Sequence, residues 1–268
     1  MPFANNGAVR LHWQEEGEGT PVLLVMGHSY SSEMWYAILP ALIDAHRTVR
    51  FDNRGTGQSD TTPKVTVQEL AADAFAVMDA AGLGQAHVFG VSMGGVIALE
   101  MALQQPERVT SLVLGCTGVL TADKPRMPAF MRPLYYLPRW ILRAMTSGRS
   151  RDKGYGSAAP RDRIDADQAM LAKDRYSARG VSAQAAALSN YAVSKDAVAT
   201  IITPTLVLHG DEDTLVRFAW GVELAETLPD SRFVKLEGSG HNFLVAACET
   251  ATAAVLDFLS GGDEKAGI

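Results

Sequence analysis

Three residues of this chain have the types and the setting for acyl transfer: Ser92, His241 and Asp213. Ser92 is the centre of Gly90-Val91-Ser92-Met93-Gly94, a G-x-S-x-G. A serine hydroxyl is a weak nucleophile until a base takes its proton, and the base needs a group that holds its tautomer. Of the six histidines, His12 and His46 are expected in or near early surface elements, and His87 opens the strand that leads to the serine. His209 ends an apolar strand, where a core histidine is as good a reading as a catalyst. His241 differs, because Gly238-Ser239-Gly240-His241-Asn242-Phe243 sets it in a loop past a strand and before the last helix. Loops at the carboxyl ends of strands are where an α/β sheet gathers reactive groups. For the acid, Gly210-Asp211-Glu212-Asp213-Thr214-Leu215-Val216 offers three carboxyls. Asp211 suits capping of the tight turn itself. Asp213, two residues further on, can turn back toward His241.

These side chains need elements to hold them. The short apolar run His87–Phe89 predicts a buried strand, and Gly95 onward predicts an apolar helix. A strand that turns straight into a helix strains the middle residue, and glycines at 90 and 94 remove the clashes that side chains would make there. The pattern alone is weak in a chain with 24 glycines; a glycine-rich turn that merely packs a helix on a sheet uses the same residues. The strand before it and the helix after it carry the weight. The Met93 amide and the positive end of that helix would then face an oxyanion beside Ser92.

Elsewhere, strands are predicted at 8–14, 21–25, 47–51, 109–114, 205–209 and 232–236, and helices at 35–45, 67–81, 218–228 and 249–259. Strand–helix alternation after two N-terminal strands predicts a mostly parallel sheet covered on both faces, an α/β fold. Residues 118–196 interrupt the alternation with five of the 12 prolines and amphipathic stretches such as 128–145. The expected organisation is therefore an α/β core at 1–117 and 197–260, a helical cap insertion at 118–196 and a disordered tail at 261–268.

A 47% hydrophobic and 20% charged composition suits a globular core, and a net charge of −6 argues against nucleic-acid or anionic-membrane surfaces. Basic residues between Lys124 and Arg163 are mixed with acidic ones and read as a solvated segment. Cys116 and Cys248 sit in apolar surroundings without metal-ligand spacing, which predicts buried free thiols and a reducing compartment, the cytoplasm. No signal peptide and no membrane span are expected.

Together the motifs resemble those of the α/β hydrolases. The chain order Ser92, Asp213, His241 is the order that family uses. Leu208-His209-Gly210-x-x-Asp213-x-x-Val216 resembles its acid loop, Gly240-His241-Asn242-Phe243 its histidine loop, and Asp52-x-Arg54-Gly55-x-Gly57-x-Ser59 its turn after an early strand. The likeness runs from about residue 8 to 260. It implies an oxyanion hole from the amides of His28 and Met93. Where the family commonly carries His-Gly, this chain has Met26-Gly27, which leaves the amide donors intact. The His28 side chain is left with two roles, a contact to substrate or a hydrogen bond within its own loop. Asp52 and Arg54 are expected to pair and lock their turn.

A serine nucleophile makes acyl transfer to water the default, with no metal or organic cofactor required. Serine carboxylesterases and enol-lactone hydrolases are the members resembled, so the expected substrate is a small to medium, moderately hydrophobic ester or lactone. Tyr30, Phe130, Met131, Tyr135, Met145 and Phe243, with Met26 and Met93, are candidates for its pocket, although each insertion residue suits a core equally well. A carbon–carbon bond hydrolase of β-diketones and a perhydrolase use the same triad. A receptor-like small-ligand binder is the non-enzyme alternative, separated by turnover. No nucleic-acid partner is expected, and a homodimer is left open.

Overall fold

A computed structural model describes residues 2–125 and 154–261. Its sheet has eight strands among the described residues: β1 (Phe3–Asn6), β2 (Val9–Glu16), β3 (Pro21–Val25), β4 (Arg47–Phe51), β5 (Ala86–Val91), β6 (Val109–Gly115), β7 (Thr205–Gly210) and β8 (Ser231–Leu236). They lie in the order β1-β2-β4-β3-β5-β6-β7-β8. β1 and β2, and β2 and β4, pair antiparallel; every later pair is parallel.

The parallel strands are apolar on both sides because both sides are covered. In β3 the residues alternate: Leu23 and Val25 join a core with α2 (Val67–Ala80), α3 (Met93–Gln104) and Leu224 of α7 (Phe218–Thr227). Val22 and Leu24 join the opposite core, with Trp35, α1 (Leu39–Ala45) and α9 (Cys248–Leu259). Thr66 caps α2, its hydroxyl accepting from the Glu69 amide while Glu69 reaches back to the Thr66 amide, a reciprocal box. From the interrupting region come α4 (Arg161–Lys173), α5 (Ala178–Asn190) and α6 (Lys195–Val198), and a short α8 (Phe243–Ala246) follows the histidine loop.

Some expectations are corrected. The helix predicted over 35–45 divides into a 3₁₀ turn at Ser32–Trp35 and α1, which starts at Leu39 with Pro40 in its first turn. β1 was not foreseen, since Phe-Ala-Asn-Asn carries no strand pattern. His12 and His46 are buried, not superficial: His12 Nδ1 lies 3.1 Å from Asp52 Oδ2, and Thr20 Oγ1 lies 2.8 Å from His46 Nδ1. Both cysteines are free, but only Cys116 is fully buried. The stretch at 128–145 and the tail beyond 261 lie outside the described residues. No helix among the described residues is long and apolar enough to cross a membrane.

Candidate active site

β5 runs directly into α3 through Ser92, whose φ of 56° and ψ of −116° are strained for a residue with a Cβ. The turn closes this tightly because its flanks carry no side chains. A Cβ at Gly90 would stand 2.3 Å from the carbonyl oxygen of Gly94, and one at Gly94 would stand 1.9 Å from that of Val25. The Ser92 amide donates to Gly115 O at 2.8 Å, and Thr117 Oγ1 donates to Ser92 O at 2.9 Å, so β6 and its following loop hold the strained residue from the side.

β7 ends in Gly210, and the loop after it turns Asp213 inward, where it is buried. Asp213 Oδ1 accepts the amides of Leu215 and Val216 at 2.8 and 2.9 Å. Its Oδ2 lies 2.7 Å from His241 Nδ1 and 3.4 Å from His209 Nε2. Burial by itself would push the Asp213 carboxyl up, but hydrogen bonds from the two histidines and the loop amides outweigh it and hold the group well below the usual carboxylate range. Asp211 does not cap its own turn but accepts the Gly238 amide of the histidine loop at 2.7 Å.

Cys116, His209 and Asp213 bring one ligand atom each within 4.8 Å of one another. They suit a metal poorly. Asp213 is already engaged by two imidazoles and two amides, and burial and the Asp213 charge push the Cys116 thiol up, away from the thiolate a metal needs.

Ser92 borders two cavities. One, of about 180 Å³, is lined by Met26–Tyr30, Met34, Val91, Asp167, Leu215, His241, Asn242, Leu244 and Val245 as well as Ser92. The other, of about 310 Å³, has Met93, Val96, Leu120, Leu188, Val216 and Trp220 among its walls. Ser92 and His241 thus line one space, with Asp213 behind His241. The loop after β3 approaches Ser92 closely: a Cβ at Gly27 would lie 3.4 Å from Ser92 Cβ. His28 borders both cavities and Met93 the second.

The His28 side chain is tied to the interrupting region. Its Nε2 donates to Val181 O at 3.0 Å, across to α5, and burial lowers its pKa. Tyr30 lines the first cavity. Phe243 does not; it is fully buried in the core against Gly115, where only a hydrogen on Cα leaves room for its ring. Phe130, Met131, Tyr135 and Met145 lie outside the described residues. Asp52 and Arg54 do not pair with each other. Asp52 accepts from Ser32 N, Ser32 Oγ and Gln58 N at 2.7–2.9 Å, whereas Arg54 makes a bidentate pair with Asp73 of α2 at 2.5 and 2.6 Å.

A family pattern described as alpha/beta hydrolase fold matches residues 20–246. The chain belongs to the α/β-hydrolase family. A protein from Azorhizobium caulinodans named "Putative carbamate hydrolase RutD" is 29% identical over 285 residues, spanning 98% of this chain and 100% of that one. The thermophilic esterase of Thermogutta terrifontis, solved with malate bound, is 26% identical with a TM-score of 0.81 over 97% of this chain and 98% of its own. The enol-lactonase of Burkholderia xenovorans LB400, 23% identical over 97% and 100% of the two chains, has a TM-score of 0.81 and supports the fold alone. This α/β hydrolase is thus a hydrolase by kinship.

Sequence reasoning missed two residues of the site. Asp167 reaches the first cavity from α4; its position in step with buried Ile164, three residues earlier, was the available signal of an inward face. Gln184 is buried on α5, accepts the Ser29 amide at 3.1 Å and donates to Arg54 O at 2.9 Å, tying α5 to two loops of the core. Beside it, backbone meets backbone: a Cβ at Gly180 would stand 2.3 Å from the Cα of Gly55. His209, which the sequence left between core and catalyst, is buried and is the second histidine beside Asp213.

Proposed function

We propose that this hydrolase cleaves a small to medium, moderately hydrophobic carboxylic ester or lactone through an acyl-enzyme on Ser92. One observation carries the reading: Ser92, held at a strained elbow, shares a cavity with His241, whose far nitrogen lies 2.7 Å from the buried Asp213 carboxylate. Ser92 Oγ attacks the substrate carbonyl carbon while His241 Nε2 takes its proton. Asp213 accepts from Nδ1–H and stabilises the imidazolium. The amides of His28 and Met93 hold the oxyanion until it collapses, and His241 then protonates the departing alkoxide. Water, deprotonated by His241, releases the acid and restores the serine.

A second reading is carbamate cleavage, favoured by the full-length relative whose name carries that activity. The same steps then pass through a carbamoyl-serine. Two free cysteines support a cytoplasmic setting for either reading.

The test is hydrolysis of a chain-length series of p-nitrophenyl esters, γ- and δ-lactones, enol-lactones and aryl carbamates by wild type and Ser92→Ala. Ester or lactone turnover abolished in the variant is expected. Turnover of carbamates alone would select the second reading. Failure of a fluorophosphonate to label wild type at Ser92 would overturn both.

A further inference from the structure

The two cavities beside Ser92 differ in charge. The larger has aliphatic and aromatic walls, Val96, Leu188 and Trp220 among them. The smaller contains a carboxylate. Asp167 is 3% exposed, and its oxygens accept the hydroxyls of two tyrosines, Tyr36 at 2.9 Å and Tyr155 at 2.6 Å. Gln168 Nε2 in turn donates to Tyr155 Oη at 2.7 Å, which orients that hydroxyl toward Asp167.

Two neutral donors satisfy the oxygens but do not cancel the charge. Among the described residues no lysine, arginine or histidine forms an ion pair with Asp167. A buried carboxylate without a counter-charge is expensive, and burial raises the Asp167 pKa even though both tyrosines oppose the rise. In so enclosed a space a cation gains more from a carboxylate than it would in water. Tyr30 is also on the cavity wall, and an aromatic ring attracts alkylammonium groups.

We propose that Asp167 and Tyr30 form a subsite for an alkylammonium group on the substrate, opposite an apolar subsite across Ser92. The inference rests on the ester reading above for the position of the scissile carbonyl. Asp167 is then a specificity determinant. Its tyrosine bonds also brace α4, so the decisive readout must be one that a bracing role would not move.

That readout is discrimination between charged and neutral isosteres. Butyrylcholine is compared with 3,3-dimethylbutyl butyrate, which places the charge in the alcohol. The p-nitrophenyl ester of 4-(trimethylammonio)butanoate is compared with that of 5,5-dimethylhexanoate, which places it in the acyl group. In one pair wild type is expected to favour the cation by about tenfold or more in kcat/KM, and Asp167→Asn to bring that ratio close to one. Equal handling of both pairs, or a ratio that survives in Asp167→Asn, overturns the subsite. The same pairs are titrated calorimetrically into Ser92→Ala, where the expected tenfold difference in Kd does not depend on turnover. If no ester is hydrolysed, the proposed function fails while this affinity ratio still decides the subsite.

Discussion

His209 and His241 share one oxygen of Asp213, at 3.4 and 2.7 Å. They are not equivalent. His241 faces the cavity, while His209 is fully buried, with Nε2 also 3.0 Å from Val216 O and Nδ1 without a hydrogen-bond partner. That pattern puts the His209 proton on Nε2, with Val216 O as its nearer acceptor and Asp213 Oδ2 as the farther one. His209→Phe keeps most of the volume and removes the donor. We expect kcat to fall about tenfold, the scale of one hydrogen bond to a charged group, with KM nearly unchanged. A lower Tm with an unchanged kcat would make His209 structural only.

Asp213 also links stability to acid. Its folded carboxyl ionises below its unfolded one, so its contribution is complete above about pH 4 and is lost as pH falls below that. Urea unfolding at pH 5 and pH 3 should show Asp213→Asn losing about 1 kcal/mol less than wild type over that interval. An equal loss in both proteins would contradict the assignment.

The elbow admits no side chain at position 94. Gly94→Ala drives a methyl into the Val25 carbonyl, and backbone cannot yield as a side-chain tip does. The expected cost is about 3 kcal/mol, read as a drop of roughly 10 °C in Tm. An unshifted melting curve would mean that the β5–α3 turn is looser than described.

Arg54 and Asp73 are a buried pair, 7% and 0% exposed in their side chains. Among the described residues, Arg54→Met leaves the Asp73 charge with only the side-chain amide of Asn6 donating to it. A loss of about 3–5 kcal/mol is expected, and Asp73→Leu added to Arg54→Met should recover much of it. Denaturant titration of the single and double variants checks both claims. Additive losses would show that the ion pair is not what holds the turn to α2.

What the sequence revealed was local. The glycines at 90 and 94, the spacing in the acid loop and the Gly-His loop each declare their geometry within a few residues, which is why the sequence singles out Ser92, Asp213 and His241, three residues that the fold brings to one place. What it hid was the choice of distant partners. Arg54 passes over Asp52 for a carboxylate on α2, because that helix delivers Asp73 into a buried position that only a cation can share. His28 reaches α5, and Phe243 turns from the pocket to the core, for the same reason: packing between elements far apart in sequence decides them. Asp167 was concealed by its type, since an acid on an apolar stripe reads as a solvated residue until tyrosines from elsewhere meet it.

The contact between Gly55 and Gly180 sets a rule for building chimaeras. A segment grafted in place of α5 to change specificity would dock here by main chain against main chain. Any donor segment must bring a glycine to the place of Gly180, and the recipient must keep Gly55; a single methyl on either side would lift α5, and with it the Gln184 and Val181 contacts that steady the loop beside Ser92. Compatibility between α5 and the loop after β4 therefore turns on two hydrogens before it turns on any side chain in the pocket.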